Sequence, residues 1–178
     1  METILAPLPL GTSDFSALRK SGQIYVDKTR LIYTLASKRQ KFFLSRPRRF
    51  GKSLLLSTFE SLFKYGLRDF HGLEIESLWK DENTYQVIRL DFSNLKDFSS
   101  VEEFSELLDQ YLLDTLTVNR LVSPIKTDKE GLRAFIGWLA LQADNSVVLL
   151  LDEYDTPLTS CLNKPELFLS LIHISEPT

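Results

Sequence analysis

Apolar residues follow two rhythms along this chain. Recurrence at i, i+3 and i+4 predicts amphipathic helices, and short unbroken runs predict buried strands. Residues 1–12 are rich in Pro and Leu and read as irregular. Ser13 or Asp14 can cap a short helix ending near Gly22. After the brief apolar stretch Ile24–Val26, Asp27 can cap a helix over Lys28–Ser37, with Leu31, Ile32 and Leu35 facing inward. Lys41–Ser45 (Lys-Phe-Phe-Leu-Ser) reads as a short buried strand. Leu54, Leu55, Leu56, Phe59, Leu62 and Phe63 keep helical period over Lys52–Tyr65, and Gly66 stands where a glycine ends a helix. Val87–Phe92 reads as a second strand.

Two capping-box spacings follow. Ser100 with Glu103 precedes the periodic set Val101, Phe104, Leu107, Leu108, Tyr111 and Leu112. Thr127 with Glu130 precedes Leu132, Phe135, Ile136, Leu139 and Ala140. Val147–Leu151 is a third strand, fully apolar. Apolar strands alternating with helices predict an α/β fold with a parallel sheet covered on both faces.

Composition narrows the class. The 178 residues suffice for one domain, or one and a fragment. With 43% hydrophobic and 25% charged residues, the chain is neither disordered nor fibrous. The run Val147–Leu151 is far too short to span a bilayer. A single cysteine, Cys161, excludes an internal disulfide and a cysteine-cluster metal site. His71 and His173 are the two histidines, which argues against a histidine metal site or triad. Met1-Glu2-Thr3 does not open a signal peptide, so the cytoplasm is the expected compartment.

The net charge of −3 excludes a globally basic nucleic-acid binder. Its distribution changes that picture locally. Residues 38–52 contain Lys38, Arg39, Lys41, Arg46, Arg48, Arg49 and Lys52 and no acid. Such a patch in an acidic protein fits an anionic partner or a solvated basic loop equally well.

Arg46-Pro47-Arg48-Arg49-Phe50-Gly51-Lys52-Ser53 lies between the first expected strand and the Lys52 helix. That is the setting of a phosphate-binding loop, whose backbone N–H groups and following helix N-terminus point at phosphate. Gly51 lets the backbone come close, Lys52 reaches the β- and γ-phosphates, and the Ser53 hydroxyl is a Mg²⁺ ligand. The Walker A pattern G-x-x-x-x-G-K-[ST] puts its first glycine at position 46, where this chain has Arg46. The second element is Val147–Leu151 running into Asp152 and Glu153. In a P-loop ATPase the first acid holds Mg²⁺ and the second polarises the attacking water. Either element alone is weak; both, in this order and each on the right kind of element, argue for nucleotide chemistry.

Several stretches resemble the bacterial AAA-ATPase-like family. They are Leu10-Gly11-Thr12-Ser13-Asp14-Phe15, Tyr25-Val26-Asp27-Lys28-Thr29, Arg46–Ser53 and Leu151-Asp152-Glu153-Tyr154-Asp155-Thr156-Pro157-Leu158. The arginine-rich loop is that family's own variant of the glycine pattern. The resemblance implies a P-loop NTPase three-layer α/β sandwich with a parallel sheet, using ATP and Mg²⁺. It implies cofactor-binding roles for Arg48, Arg49, Phe50, Gly51, Lys52 and Ser53, metal binding for Ser53 and Asp152, and a catalytic role for Glu153. Asp27 and Asp155 also match motif positions, but a helix cap and an Asp-Thr-Pro turn explain them as well. Longer members resemble an ATPase domain followed by a PD-(D/E)XK nuclease-like domain, and through it a nucleic-acid partner.

The resemblance covers residues 8–168. Residues 1–168 are therefore expected to be the N-terminal part of the ATPase domain, and 169–178 a non-native read-through tail. P-loop ATPases of this type place a later strand between the two motif strands. A C-terminally truncated sheet is expected, with exposed apolar strand faces and poor stability. Three functions follow: an ATP-hydrolysing domain, a nucleotide switch that turns over slowly or never, and a nucleic-acid-binding module using residues 38–52.

Overall fold

The computed structural model describes residues 6–45, 47, 50–121, 131–144 and 146–175, with the backbone alone from 172 onward. The chain divides into two compact units, Met1–Val87 and Ile88–Thr178.

The first unit is helical. Helix α1 (Phe15–Lys20) starts where Asp14 accepts the Ala17 N–H, at 2.8 Å. Helix α2 (Thr29–Ala36) begins after Asp27, whose carboxylate accepts the N–H groups of Thr29 and Glu74, each at 2.8 Å. Its inward residues are Thr29, Ile32 and Ala36, whereas Leu31, expected inside, is exposed. A helix this short buries one narrow stripe, and Thr29 takes a place in it by donating to Asp27 while accepting the Ile75 N–H. Helix α3 (Lys52–Tyr65) ends at Gly66, whose φ of 62° suits glycine. A 3-10 turn (Gly66–Asp69) and the short helix α4 (Ile75–Leu78) close the unit. Phe15, Ile32, Leu62, Phe70, Leu73, Ile75 and Trp79 form its core.

The Lys41–Ser45 segment is not a strand, contrary to the sequence reading. Phe42, Phe43 and Leu44 are exposed, Phe43 to 72%. A strand needs a neighbour to take its N–H and C=O groups. Among the described residues the one sheet has the order β1-β2, and Lys41–Ser45 is not one of its strands.

That sheet is formed by the parallel strands β1 (Gln86–Asp91) and β2 (Val147–Asp152), and all of it but the first two residues of β1 belongs to the second unit. A 3-10 turn (Phe92–Asn94) follows β1, and helix α5 (Val101–Val118) and helix α6 (Gly131–Ala140) make the crossover. Ser100 caps α5 by accepting the Glu103 N–H at 3.2 Å, while Glu103 reaches back to the N–H of Ser99 at 2.7 Å. The capping box thus closes one residue further out than its spacing suggests. The expected box at Thr127 and Glu130 lies outside the described residues. Asp109 of α5 caps α6 instead, accepting the Leu132 N–H at 2.8 Å. Ile88 and Leu90 pack with Leu112, Leu116, Phe135 and Trp138. Helix α7 (Thr156–Ser160) and helix α8 (Pro165–Ser175) follow β2, and Leu171 of α8 is buried with Phe98 and Cys161.

The fold is therefore α/β with a small parallel sheet. Coverage of both faces, expected from the apolarity of Val147–Leu151, does not hold for β2. Leu150 and Asp152 are buried, but Leu149 and Leu151, on the opposite side of the pleat, are exposed.

Candidate functional site

The two sequence elements lie in different units, the Gly51-Lys52-Ser53 step in the first and the Asp152-Glu153 step in the second. Each has its own local geometry.

Gly51 has φ 73°, ψ 23°, in the left-handed region. A Cβ built there meets nothing within 4 Å, so conformation and not space selects glycine at this point. The turn throws the chain into α3, with Lys52 and Ser53 as its first residues, both half-buried. Among the described residues no side chain caps this helix, and its first turn carries no acid. Helix N-termini leave backbone N–H groups without intrahelical partners, so an uncapped one attracts anions. Phe50 is exposed beside the turn. Arg48 and Arg49 lie outside the described residues.

Helix α3 rests on a polar inner face that its apolar period does not announce. Ser57, Thr58 and Ser61 are buried. Ser57 Oγ accepts the Phe15 N–H at 2.9 Å, tying α1 to α3. Asp69 accepts from Ser61 Oγ at 2.7 Å, from Ser16 Oγ, and from Arg68 through Nε at 3.1 Å and Nη2 at 2.9 Å. The Arg68 guanidinium and the two serine hydroxyls outweigh burial and hold the Asp69 carboxyl far below the usual carboxylate range. Arg68 itself stacks over the Tyr65 ring, 3.7 Å from its centroid. Asp27 is lowered too: burial pushes its carboxyl up, but bonds from Thr29 and Glu74 prevail. Its two carboxylate oxygens are spent on helix starts, so the cap explains Asp27.

At the end of β2, Asp152 is buried, with its side chain only 4% exposed. Its Oδ1 accepts the N–H of Glu153 at 3.1 Å, and its Oδ2 accepts from Arg89 Nη2 at 3.0 Å. Glu153 has φ 49°, a left-handed backbone at a non-glycine residue. Such residues store strain and concentrate at functional sites. The strain is held by a tight turn in which the Glu153 C=O accepts the Thr156 N–H at 2.9 Å. Asp155 lies in that turn without a side-chain cap bond, and Pro157 opens α7 after it. The Asp-Thr-Pro turn expected for Asp155 is present. At the end of β1, the Tyr111 hydroxyl accepts the Asp91 N–H at 2.6 Å, and Asp91 accepts the Ser93 N–H at 2.9 Å.

Sequence reasoning missed Arg89 and Asp69. Arg89 left a trace, as one charge inside the apolar run Val87-Ile88-Leu90. Such a charge in a strand calls for a buried partner. Asp69 left none.

Among the described residues, no cluster of three or more His, Cys, Asp or Glu could hold a metal ion, and no helix is long and apolar enough to cross a membrane. The family model of predicted AAA-ATPases matches residues 9–176. A protein of Azotobacter chroococcum mcd 1, described as "Uncharacterized protein in vnfD 5'region", is 34% identical over 165 residues. The match covers 90% of this chain and 31% of that relative, so the chain spans about a third of its length. No solved structure matches. With nearly its whole length inside the family model, the chain belongs to the predicted AAA-ATPase family and is an ATPase-type domain.

Proposed function

We propose that the chain is the N-terminal part of a P-loop ATPase domain, built as a three-layer α/β sandwich, that binds ATP with Mg²⁺ and hydrolyses it. The observation that carries this reading is the N-terminus of α3, acid-free and, among the described residues, uncapped, entered through a left-handed Gly51 and opened by Lys52 and Ser53. The residues fit the ligand. Backbone N–H groups of the first turn would hold phosphate, and Lys52 would neutralise the β- and γ-phosphates. Ser53 Oγ and the Asp152 carboxylate are hard oxygen donors of the kind Mg²⁺ takes alongside phosphate oxygens. Bound there, Mg²⁺ would supply Lewis-acid polarisation of the terminal phosphoryl group. Glu153 would take the proton of the attacking water, and Arg48, Arg49 and Phe50 would supply the rest of the loop. In the longer protein, turnover would control an attached nuclease-like domain.

The test is ATP binding and turnover by the full-length protein. Lys52→Ala should abolish Mg-ATP binding, and Glu153→Gln should keep binding and lose hydrolysis. Retained hydrolysis in Glu153→Gln removes that residue from the role. Tight binding with turnover far below about 1 s⁻¹ would instead identify a nucleotide switch. A specific observation favours the nucleic-acid reading as the second choice. Phe42, Phe43 and Phe50 are exposed among the basic residues of 38–52, a pattern suited to base stacking. Binding of single strands that falls steeply with salt and ignores ATP would support it.

A further inference from the structure

Arg89 does not belong to either sequence motif, yet its side chain contacts the acid at the end of β2. Its Nη2 lies 3.0 Å from Asp152 Oδ2. The other carboxylate oxygen faces the Glu153 N–H at 3.1 Å. Both oxygens of a buried acid are therefore engaged, one of them by a full positive charge. That charge is permanent, since a guanidinium does not lose its proton in a protein. The Arg89 side chain is 27% exposed against 4% for Asp152, so the arginine is the more solvent-accessible partner of the pair.

We propose that Arg89 is a positioning residue that keeps Asp152 aimed and competes with a divalent cation for its carboxylate. This rests on the reading of Asp152 as the metal-binding acid. A buried carboxylate needs a partner when no cation is present, and Arg89 supplies one while keeping the side chain aimed. A lone divalent ion must then compete with a guanidinium for the same oxygen, and two cations on one carboxylate repel. The protein should accordingly bind divalent cations weakly at Asp152 as long as Arg89 is there.

The experiment is Mn²⁺ binding to the nucleotide-free full-length protein, followed by electron paramagnetic resonance. Wild type is expected to bind Mn²⁺ weakly. Arg89→Gln should raise nucleotide-free Mn²⁺ affinity about tenfold or more, and Asp152→Asn in the same chain should cancel the gain. A purely structural role predicts the opposite direction, because a disordered acid binds a cation less well. Arg89→Lys, which keeps the charge but not the fork, should gain less than about threefold. Unchanged Mn²⁺ affinity in Arg89→Gln, with Lys52-dependent ATP binding intact, overturns the role of Arg89 alone. Where Arg89→Gln does not fold, wild type decides. Tight nucleotide-free Mn²⁺ binding that Asp152→Asn removes overturns the proposal. ATP binding that survives Lys52→Ala overturns the P-loop reading itself, and with it the role given to Asp152.

Discussion

Asp69 offers the most direct test of what holds helix α3 in place. Asp69→Asn keeps the shape of the side chain and removes its charge. Three donors converge on Oδ2, namely Ser61 Oγ, Ser16 Oγ and Arg68 Nη2, while Oδ1 faces Arg68 Nε. The asparagine must therefore keep its oxygen at the crowded position and point its NH₂ at Arg68 Nε, setting donor against donor. One bond is lost and three fall from charged to neutral acceptor. Hydrogen bonds to charged groups contribute about 1.5–3 kcal/mol and neutral ones about 0.5–1.5. The Asp69 side chain is 6% exposed, so its share is not screened, but Arg68 is 47% exposed, so its share is discounted. The net loss is about 3 kcal/mol. In a chain of this size each kcal/mol moves Tm by about 2–4 °C, so thermal unfolding at pH 7 should fall by about 6–12 °C.

The pH dependence of that difference adds a second check. The folded pKa of Asp69 is depressed, so its charge stabilises fully above the unfolded value, about 3.9, and loses effect as pH falls through the folded value. The gap between wild type and Asp69→Asn should therefore stay constant from pH 7 to about 4.5 and close only below pH 4. A gap under about 1 kcal/mol at pH 7, or one that closes between pH 7 and 5, refutes the reasoning.

The remaining predictions follow from backbone geometry. A Cβ at Gly131 would stand 2.1 Å from the Asp109 carbonyl oxygen, whereas one at Gly137 meets nothing within 4 Å. Gly131→Ala should therefore cost about 2–3 kcal/mol by forcing α6 off α5, and Gly137→Ala should be neutral or gain up to about 1 kcal/mol; equal urea midpoints would count against this packing. Gly51→Ala should cost about 1–2 kcal/mol through its positive φ alone and weaken ATP binding, as read by thermal unfolding and nucleotide titration. Glu153→Gly relieves a φ of 49° and should leave the fold equally stable or more stable by about 1 kcal/mol while abolishing turnover, so a large loss of Tm would show that the strain is not there.

The pieces that were legible in the sequence are those whose geometry is local. Helix α3 follows from its own period between two glycines, and both glycines take positive φ. The Ser100 and Asp14 caps need only the N–H groups of residues three positions on. Lys41–Ser45 misled because apolarity is a property of a segment and pairing is a property of two. Phe42 and Phe43 say that the run could be buried, not that a neighbour stands beside it. The same limit applies to β2, whose unbroken apolar run says nothing of which face is covered. Asp69 was invisible because neither the distant Ser16, 53 positions away, nor the nearer Ser61 and Arg68 stand in a spacing that announces a shared acceptor.

Arg89 sits between these cases, and it ties the legible part of the site to the illegible part. The strand-end acids could be read off as a pair, Asp152 then Glu153, but their state could not. The fold adds a cation to the first, 63 positions away in sequence, and a left-handed backbone to the second. A buried carboxylate at the end of a strand is costly unless a positive partner is always present. The same acid must be released if it is to hold a metal ion. One residue cannot meet both demands with a fixed partner. Under the proposal above, Arg89 on the neighbouring strand would meet them in turn, by holding the acid and yielding it to a cation. The stability of the fold and its affinity for cations would then be set by the same ion pair.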